Sequence, residues 1–96
     1  MTVGIKEPIG AEYIDLKVAP NPSSDGMVRV LPEVNLKLKN VQIVICDAAG
    51  KLIYTHLHNE LNKEGVIIDL KWLEKGSYFL RLKSDKYVGE AKIILD

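Results

Sequence analysis

The chain has 96 residues, of which 47% are hydrophobic and 27% are charged, and its 13 Lys and Arg residues are balanced by 13 Asp and Glu residues. This length supports one domain with a modest core and leaves no room for a large enclosed active site. The zero net charge disfavours a role in which charge alone binds nucleic acid or a membrane surface.

Cysteine use and the start of the chain limit its cellular context. Cys46 is the single cysteine, so no disulfide forms within the chain. No apolar run approaches the roughly 20 residues of a membrane-spanning helix, and Met1 is not followed by the basic and apolar segments of a signal peptide. We therefore expect either a cytoplasmic protein or a part cut from a larger precursor, without direct insertion into a membrane.

Residues 1–15 contain glycine, proline and scattered charges without a sustained period, which predicts a linker. From Leu16 onward apolar residues alternate with polar ones, as in strands that bury one face. The predicted strands are residues 16–18, 27–31, 41–46, 51–57, 66–70, 77–83 and 87–95. Seven short strands with regularly spaced turns indicate a β-sandwich. Only the stretch DLKWLEKG could hold a single helical turn.

The stretch VAPNP follows the first predicted strand and places Pro20 and Pro22 on either side of Asn21. Neither proline can donate to a sheet, and each favours extended geometry in the residue before it. We therefore expect an extended Asn21 whose amide bonds locally. With SSDG after it, the segment is predicted to carry the chain from one sheet of the sandwich to the other.

Two further turns have specific signals. In CDAAGK, Asp47 can accept from the backbone two residues later, and Gly50 suits the left-handed position that closes a hairpin. A side chain at Gly50 should cost about 1 kcal/mol or more. Gly76 precedes Tyr78 by two residues, the spacing of a tyrosine corner, in which a buried ring donates its hydroxyl to an upstream backbone group.

Residues with catalytic or metal-binding chemistry are few. Cys46 with His56 or His58 could form a nucleophile and base, but no third group orients them, so a structural cysteine is favoured. His56 and His58 share one face of a predicted strand, and Glu60 could add an oxygen ligand. The spacing permits a surface metal site, although ordinary surface residues are the favoured interpretation.

Aromatic residues offer one alternative binding function. Trp72, with Tyr54 and Tyr87, could form a platform on which a sugar stacks. Because Trp72 lies between two leucines, the favoured interpretation is that it covers the end of the core.

Four stretches together resemble a known family. LKVAPNPSSDGMVRV, VQIVICDAAGKLIY, VIIDLKWLEKGSYFLRL and KYVGEAKIILD resemble, in order and spacing, the C-terminal sorting domain of the type IX (Por) secretion system. The resemblance covers residues 16–96, and VGIKE looks like the linker that often precedes this domain. It implies an all-β fold, an immunoglobulin-like antiparallel β-sandwich of about seven strands, placed last in a precursor that carries an N-terminal signal peptide.

The resemblance also implies a function and partners. The family directs a cargo protein through the periplasm to the outer-membrane translocon of the type IX system, which recognises the domain as a folded module. In many members a sortase-like cysteine peptidase removes the domain and joins the cargo to a surface lipopolysaccharide. We therefore expect residues 16–96 to follow a cargo domain and to lead to the cell surface or to secretion. We expect no enzyme activity, cofactor, metal ion or nucleic-acid partner.

Individual residues match the family's motifs. Those carried over are Pro20, Asn21 and Pro22 in the first motif, Asp47, Gly50 and Lys51 in the second, Gly76 and Tyr78 in the third, and Lys92 and Ile93 in the terminal strand. Ala19 and Cys46 depart from it, since the family commonly has aromatic residues there, and both are expected to thin the edge of the core. The SDK hairpin also lacks the usual glycine.

Two lysines are the candidates for contact with the translocon. Lys51 follows a turn, and Lys92 faces outward if Ile93 faces inward. The alternative is that both are solubility lysines on exposed strands. The alternative function for the whole chain is a carbohydrate-binding or adhesion module of a surface protein, with Trp72 and Tyr54 contacting the ligand.

Overall fold

The structure is a computed structural model that describes residues 10–33, 35 and 37–96. Its strands are β1 (Glu12–Tyr13), β2 (Leu16–Ala19), β3 (Met27–Pro32), β4 (Leu38–Asp47), β5 (Leu52–Leu61), β6 (Val66–Asp69), β7 (Gly76–Lys83) and β8 (Tyr87–Leu95). None of the described segments forms a helix of the length and apolarity needed to cross a membrane.

The strands form two facing sheets. The larger has the order β1-β8-β7-β4-β5 and the smaller has the order β2-β3-β6. Neighbours are antiparallel except β1 and β8, which are parallel. Without β1, a three-stranded sheet faces the order β8-β7-β4-β5, an arrangement of immunoglobulin type. The predicted all-β sandwich is confirmed.

Strand β1 lies within residues 1–15, which the sequence predicts to be a linker. Glu12 pairs with Tyr87 and Tyr13 pairs with Val88, and the Ile14 N–H donates to the Val88 carbonyl at 2.9 Å. Two residues are too short to show a period, so this eighth strand has no signal in the sequence. Residues 1–9 of the predicted linker lie outside the described residues.

Alternation along the strands builds the core between the sheets. Its buried members are Val28, Val30, Leu38, Val41, Ile43, Ile45, Leu61, Ile68, Leu70, Tyr78, Leu80, Leu82, Ile93 and Leu95. Strand β4 is also buried on its other face, where Val44 and Cys46 are 3% and 1% exposed. This strand lies between β5 and β7 in the larger sheet.

The predicted crossing between sheets at the twin prolines is wrong. The strands before and after this segment, β2 and β3, are antiparallel neighbours in the smaller sheet, with Ala19 opposite Arg29. The connection instead reaches across to the larger sheet, where Ser23 forms a bridge with Leu95, and then returns to its own sheet. The peptide bonds before Pro20 and Pro22 are both cis.

Candidate functional site

The four motif stretches meet at one end of the sandwich, which we call the motif end (residues 20–22, 47–51, 76–78 and 92–93). Tyr78 is paired with Asp47 on one side and with Ile93 on the other. Asn21 contacts the backbone of Lys92. Asn21 and Lys92, which lie 71 positions apart in sequence, therefore belong to one continuous structure.

The turn between β4 and β5 forms as predicted. The carboxylate of Asp47 accepts from the backbone N–H groups of Ala49 and Lys51, both at 2.9 Å. Gly50 has a φ of +86° and donates its N–H to the Asp47 carbonyl at 3.0 Å. Because one side chain holds the whole turn, the backbone of Lys51 has a defined position while its side chain is exposed.

The predicted tyrosine corner is also confirmed. Tyr78 is 7% exposed, and its hydroxyl donates to the carbonyl of Glu74 at 2.5 Å. The ring belongs to the core, whereas the hydroxyl reaches the connection that precedes β7. Tyr78 therefore ties this connection to the sandwich.

Asn21 bonds to β8 and not locally, which corrects the second expectation for the twin-proline segment. Its side-chain amide donates to the Lys92 carbonyl at 2.8 Å and its side-chain oxygen accepts from the Ile94 N–H at 2.9 Å. Ser23 continues the contact, since its N–H donates to the Ile94 carbonyl and its carbonyl accepts from the Asp96 N–H. β1 pairs only with the start of β8, so the segment satisfies edge groups that β1 does not reach.

Replacing Asn21 tests this link between the first and last motifs. We expect Asn21→Ala to lower the free energy of unfolding by about 1 to 3 kcal/mol, because two hydrogen bonds are lost. Asn21→Asp keeps the acceptor for the Ile94 N–H but replaces the donor with an oxygen that faces the Lys92 carbonyl, so this variant should also be less stable than the original chain. Urea denaturation measures both, and an unchanged midpoint for Asn21→Ala would contradict the assignment.

A row of four residues crosses the outer face of the larger sheet at the motif end. Lys92 pairs with Phe79, which pairs with Cys46, which in turn pairs with Leu52. We call Lys92, Phe79, Cys46 and Leu52 the outer row. Three strand spacings of about 4.8 Å separate its ends by about 14 Å.

Of the two candidate lysines, Lys92 is one end of the outer row and Lys51 adjoins the other end. Lys92 is exposed while Ile93 is fully buried, so their side chains face opposite ways. Lys51 immediately precedes Leu52, which is 57% exposed. The apolar part of this surface, Phe79, Cys46 and Leu52, was not predicted from the sequence. The sequence did contain a signal for it: β4 and β7 have apolar residues, Phe79 among them, at both odd-numbered and even-numbered positions, so both faces of these strands are partly apolar.

Cys46 is buried on the outer face and does not belong to the core between the sheets. The expectation that it thins the core edge is therefore wrong. Burial, followed by the charge of Asp47, raises the pKa of the Cys46 thiol, which disfavours the nucleophilic thiolate. His56 pairs with Ile43 and so lies on the opposite face from Cys46, which separates the imagined nucleophile and base.

The three aromatic residues proposed as a sugar platform do not all lie at one end of the sandwich. Trp72 is 61% exposed in the connection from β6 to β7, so the prediction that it covers the core is wrong, and Leu70 and Leu73 pack there instead. Tyr54 and Tyr87 both pack against the core. Tyr87 begins β8 at the end of the sandwich opposite Trp72.

The two histidines lie side by side on β5. Their ring centroids are 4.1 Å apart, as expected for residues that share one face of a strand. Burial, followed by the charge of His56, lowers the pKa of His58. Glu60 lies 3.7 Å from Lys37, and the described part of the chain contains no cluster of three or more residues able to hold a metal ion.

Comparison with known proteins agrees with this arrangement. The family model described as "Secretion system C-terminal sorting domain" matches residues 17–96. The comparison with curated proteins finds no match. The matched range contains all four motif stretches apart from Leu16 and ends one residue after β8. This family consists of sorting signals, not enzymes. The chain belongs to the family of secretion system C-terminal sorting domains, the sorting signals of type IX secretion, whose cargo reaches the cell surface or is secreted.

Proposed function

We propose that the type IX outer-membrane translocon recognises this chain as a folded module. The supporting observation is the pair of hydrogen bonds between Asn21 and β8, which joins the first and last motifs. Those bonds exist only after the sandwich has folded. In this proposal the other motif residues have a structural role: they build the motif end and do not themselves contact a partner. These residues are Pro20, Pro22, Asp47, Gly50, Gly76, Tyr78 and Ile93.

The proposed contact surface is the outer row together with Lys51. Phe79 is half-buried and Leu52 is exposed, so the row offers apolar area to a partner. Lys92 is the charged end of the row, and the exposed Lys51 adjoins the other end at Leu52. An apolar strip between two separated charges can fix both the position and the orientation of a docked partner.

In this proposal the sorting domain spans residues 16–96 together with β1, and the residues before β1 link it to a preceding cargo domain. The cargo crosses the periplasm before it reaches the translocon. A sortase-like cysteine peptidase then removes the domain and attaches the cargo to the surface. In this proposal the domain itself supplies no catalytic group. The burial of the Cys46 thiol supports this part of the proposal.

The contact surface can be tested by fusing the chain behind a periplasmic reporter in a bacterium that has the type IX system. We expect Lys92→Ala and Lys51→Ala each to lower export several-fold while leaving the thermal unfolding midpoint unchanged, because both side chains are exposed. Lys86→Ala, an exposed lysine in the hairpin at the opposite end, is the matched control and should be exported normally. Normal export of both the Lys51 and Lys92 variants would remove them from the surface.

Recognition of the fold itself needs a different variant. Tyr78→Ala, which should unfold a large fraction of the domain, should abolish export even though it leaves Lys51 and Lys92 in place. Export that continues with an unfolded domain would show that the translocon recognises an extended tail.

A further inference from the structure

Among the residues that the structure describes, strand β5 is a long edge of the larger sheet with no neighbour on its outer side. It has ten residues, whereas the edge strands of the smaller sheet, β2 and β6, have four each. The opposite edge of the larger sheet is covered by β1 and by the contacts of Asn21 and Ser23. β5 contains none of the lysines or prolines that commonly protect an open edge.

The sequence of β5 is complementary to itself about Leu57. An antiparallel copy placed on a two-fold axis through Leu57 puts His56 opposite the partner's His58 and Thr55 opposite the partner's Asn59. Odd-numbered residues then lie opposite odd-numbered ones. Every second residue of each strand therefore directs its backbone N–H and C=O toward the residue opposite it on the other strand, as antiparallel hydrogen bonding requires. The pairing is isologous and closed, as the commonest dimers are.

Side chains on both faces of such a pair fit. Leu57 is 72% exposed and lies on the outer face, where it would cover its own counterpart. His56 and His58 lie on the inner face, because they pair with the core residues Ile43 and Val41. His56 is exposed and His58 is half-buried, so the smaller sheet leaves this part of the inner face open.

Pairing would bring four imidazoles together. Opposite residues on paired strands have Cβ atoms about 5 Å apart, and successive residues on one face are about 6.8 Å apart. The two rings within one copy already lie with centroids 4.1 Å apart. Four neutral imidazoles in a group of this size suit a tetrahedral divalent metal such as Zn²⁺. The described residues of one copy supply no third ligand, so the site is incomplete without the partner.

We propose that two copies of this chain pair edge to edge through β5 about Leu57, and that His56 and His58 of both copies bind one divalent transition metal ion between them. This inference concerns β5 and does not depend on the proposed contacts at the motif end.

Sedimentation velocity of the purified chain with and without Zn²⁺ tests the proposal. We expect Zn²⁺ to convert a predominantly monomeric chain into a dimer at one metal ion per two chains, and EDTA to reverse the change. A chain that stays monomeric in excess Zn²⁺ would overturn the proposal, and so would a dimer that Zn²⁺ neither forms nor strengthens.

Three variants separate the parts of the interface, and circular dichroism confirms that each is folded. Leu57→Lys keeps both histidines but places two like charges on the axis, so it should prevent the dimer. The double variant His56→Ala and His58→Ala should lose the response to Zn²⁺. Ile67→Lys, at a residue 54% exposed on the smaller sheet, is the matched control and should dimerise like the original chain. Dimerisation of Leu57→Lys, or an unchanged Zn²⁺ response of the double variant, would contradict the assignment.

Discussion

Tyr78→Ala is expected to lower the free energy of unfolding by about 3 to 5 kcal/mol, because it removes a buried aromatic ring and leaves a cavity. Tyr78 is 7% exposed and lies in the core at the motif end, between Asp47 and Ile93. A small domain has a total stability of about 5 to 15 kcal/mol. The variant should therefore be largely unfolded under conditions that only mildly perturb the original chain.

The hydroxyl of Tyr78 can be tested separately from its ring. Tyr78→Phe retains the packing and loses the bond to the Glu74 carbonyl, which should cost about 1 to 2 kcal/mol. Tyr54→Phe, at a half-buried tyrosine on β5, is the matched control for removing a hydroxyl. Urea denaturation of Tyr78→Ala, Tyr78→Phe and Tyr54→Phe gives the comparison. Equal midpoints for Tyr78→Phe and Tyr54→Phe would show that the tyrosine corner adds no stability of its own.

Gly65→Ala is expected to be the second strongly destabilising change. Gly65 has a φ of +74°, and a Cβ there would overlap the carbonyl oxygen of Val30. The turn from β5 to β6 passes directly over β3 at this point, where Val30 pairs with Val66. The positive φ should cost about 1 to 2 kcal/mol, and the overlap should add about 1 to 3 kcal/mol because backbone must move.

Gly10→Ala separates these two costs. Gly10 has nearly the same φ, +73°, but no atom lies within 4 Å of the position that a Cβ would take. It should therefore show the conformational cost alone. Thermal unfolding of both variants is the measurement, and equal losses of stability would mean that the close approach to Val30 has no energetic consequence.

Interactions between residues close in sequence were predictable. The Asp47 carboxylate accepts from a backbone N–H four residues later, and the Tyr78 hydroxyl bonds to a carbonyl four residues earlier. Both depend on residue types at fixed short spacings, which the sequence displays directly. The buried faces of β3, β4, β7 and β8 were predictable for the same reason, since alternation is itself a local pattern.

Features that depend on distant partners were not predictable. Asn21 was expected to bond locally, yet its partners lie 71 and 73 residues away on β8. The edge of β8 is available to it only because β1 pairs with the beginning of that strand alone. Trp72 is exposed because Leu70 and Leu73 fill the end of the core, a competition that no short stretch of sequence reveals.

By itself, therefore, the sequence determined the β-sandwich, its main turns, the faces of its strands and membership of the sorting-domain family. The tertiary structure alone decided that the twin-proline segment covers the edge of β8 and that Cys46 and Phe79 join Lys92 and Leu52 in the outer row. It also decided that β5 is an open edge among the residues that the structure describes. The physical reason is the distance along the chain over which each effect acts. Alternation and turn chemistry act over a few residues, whereas edge protection and surface composition depend on which strands become neighbours after the chain has folded.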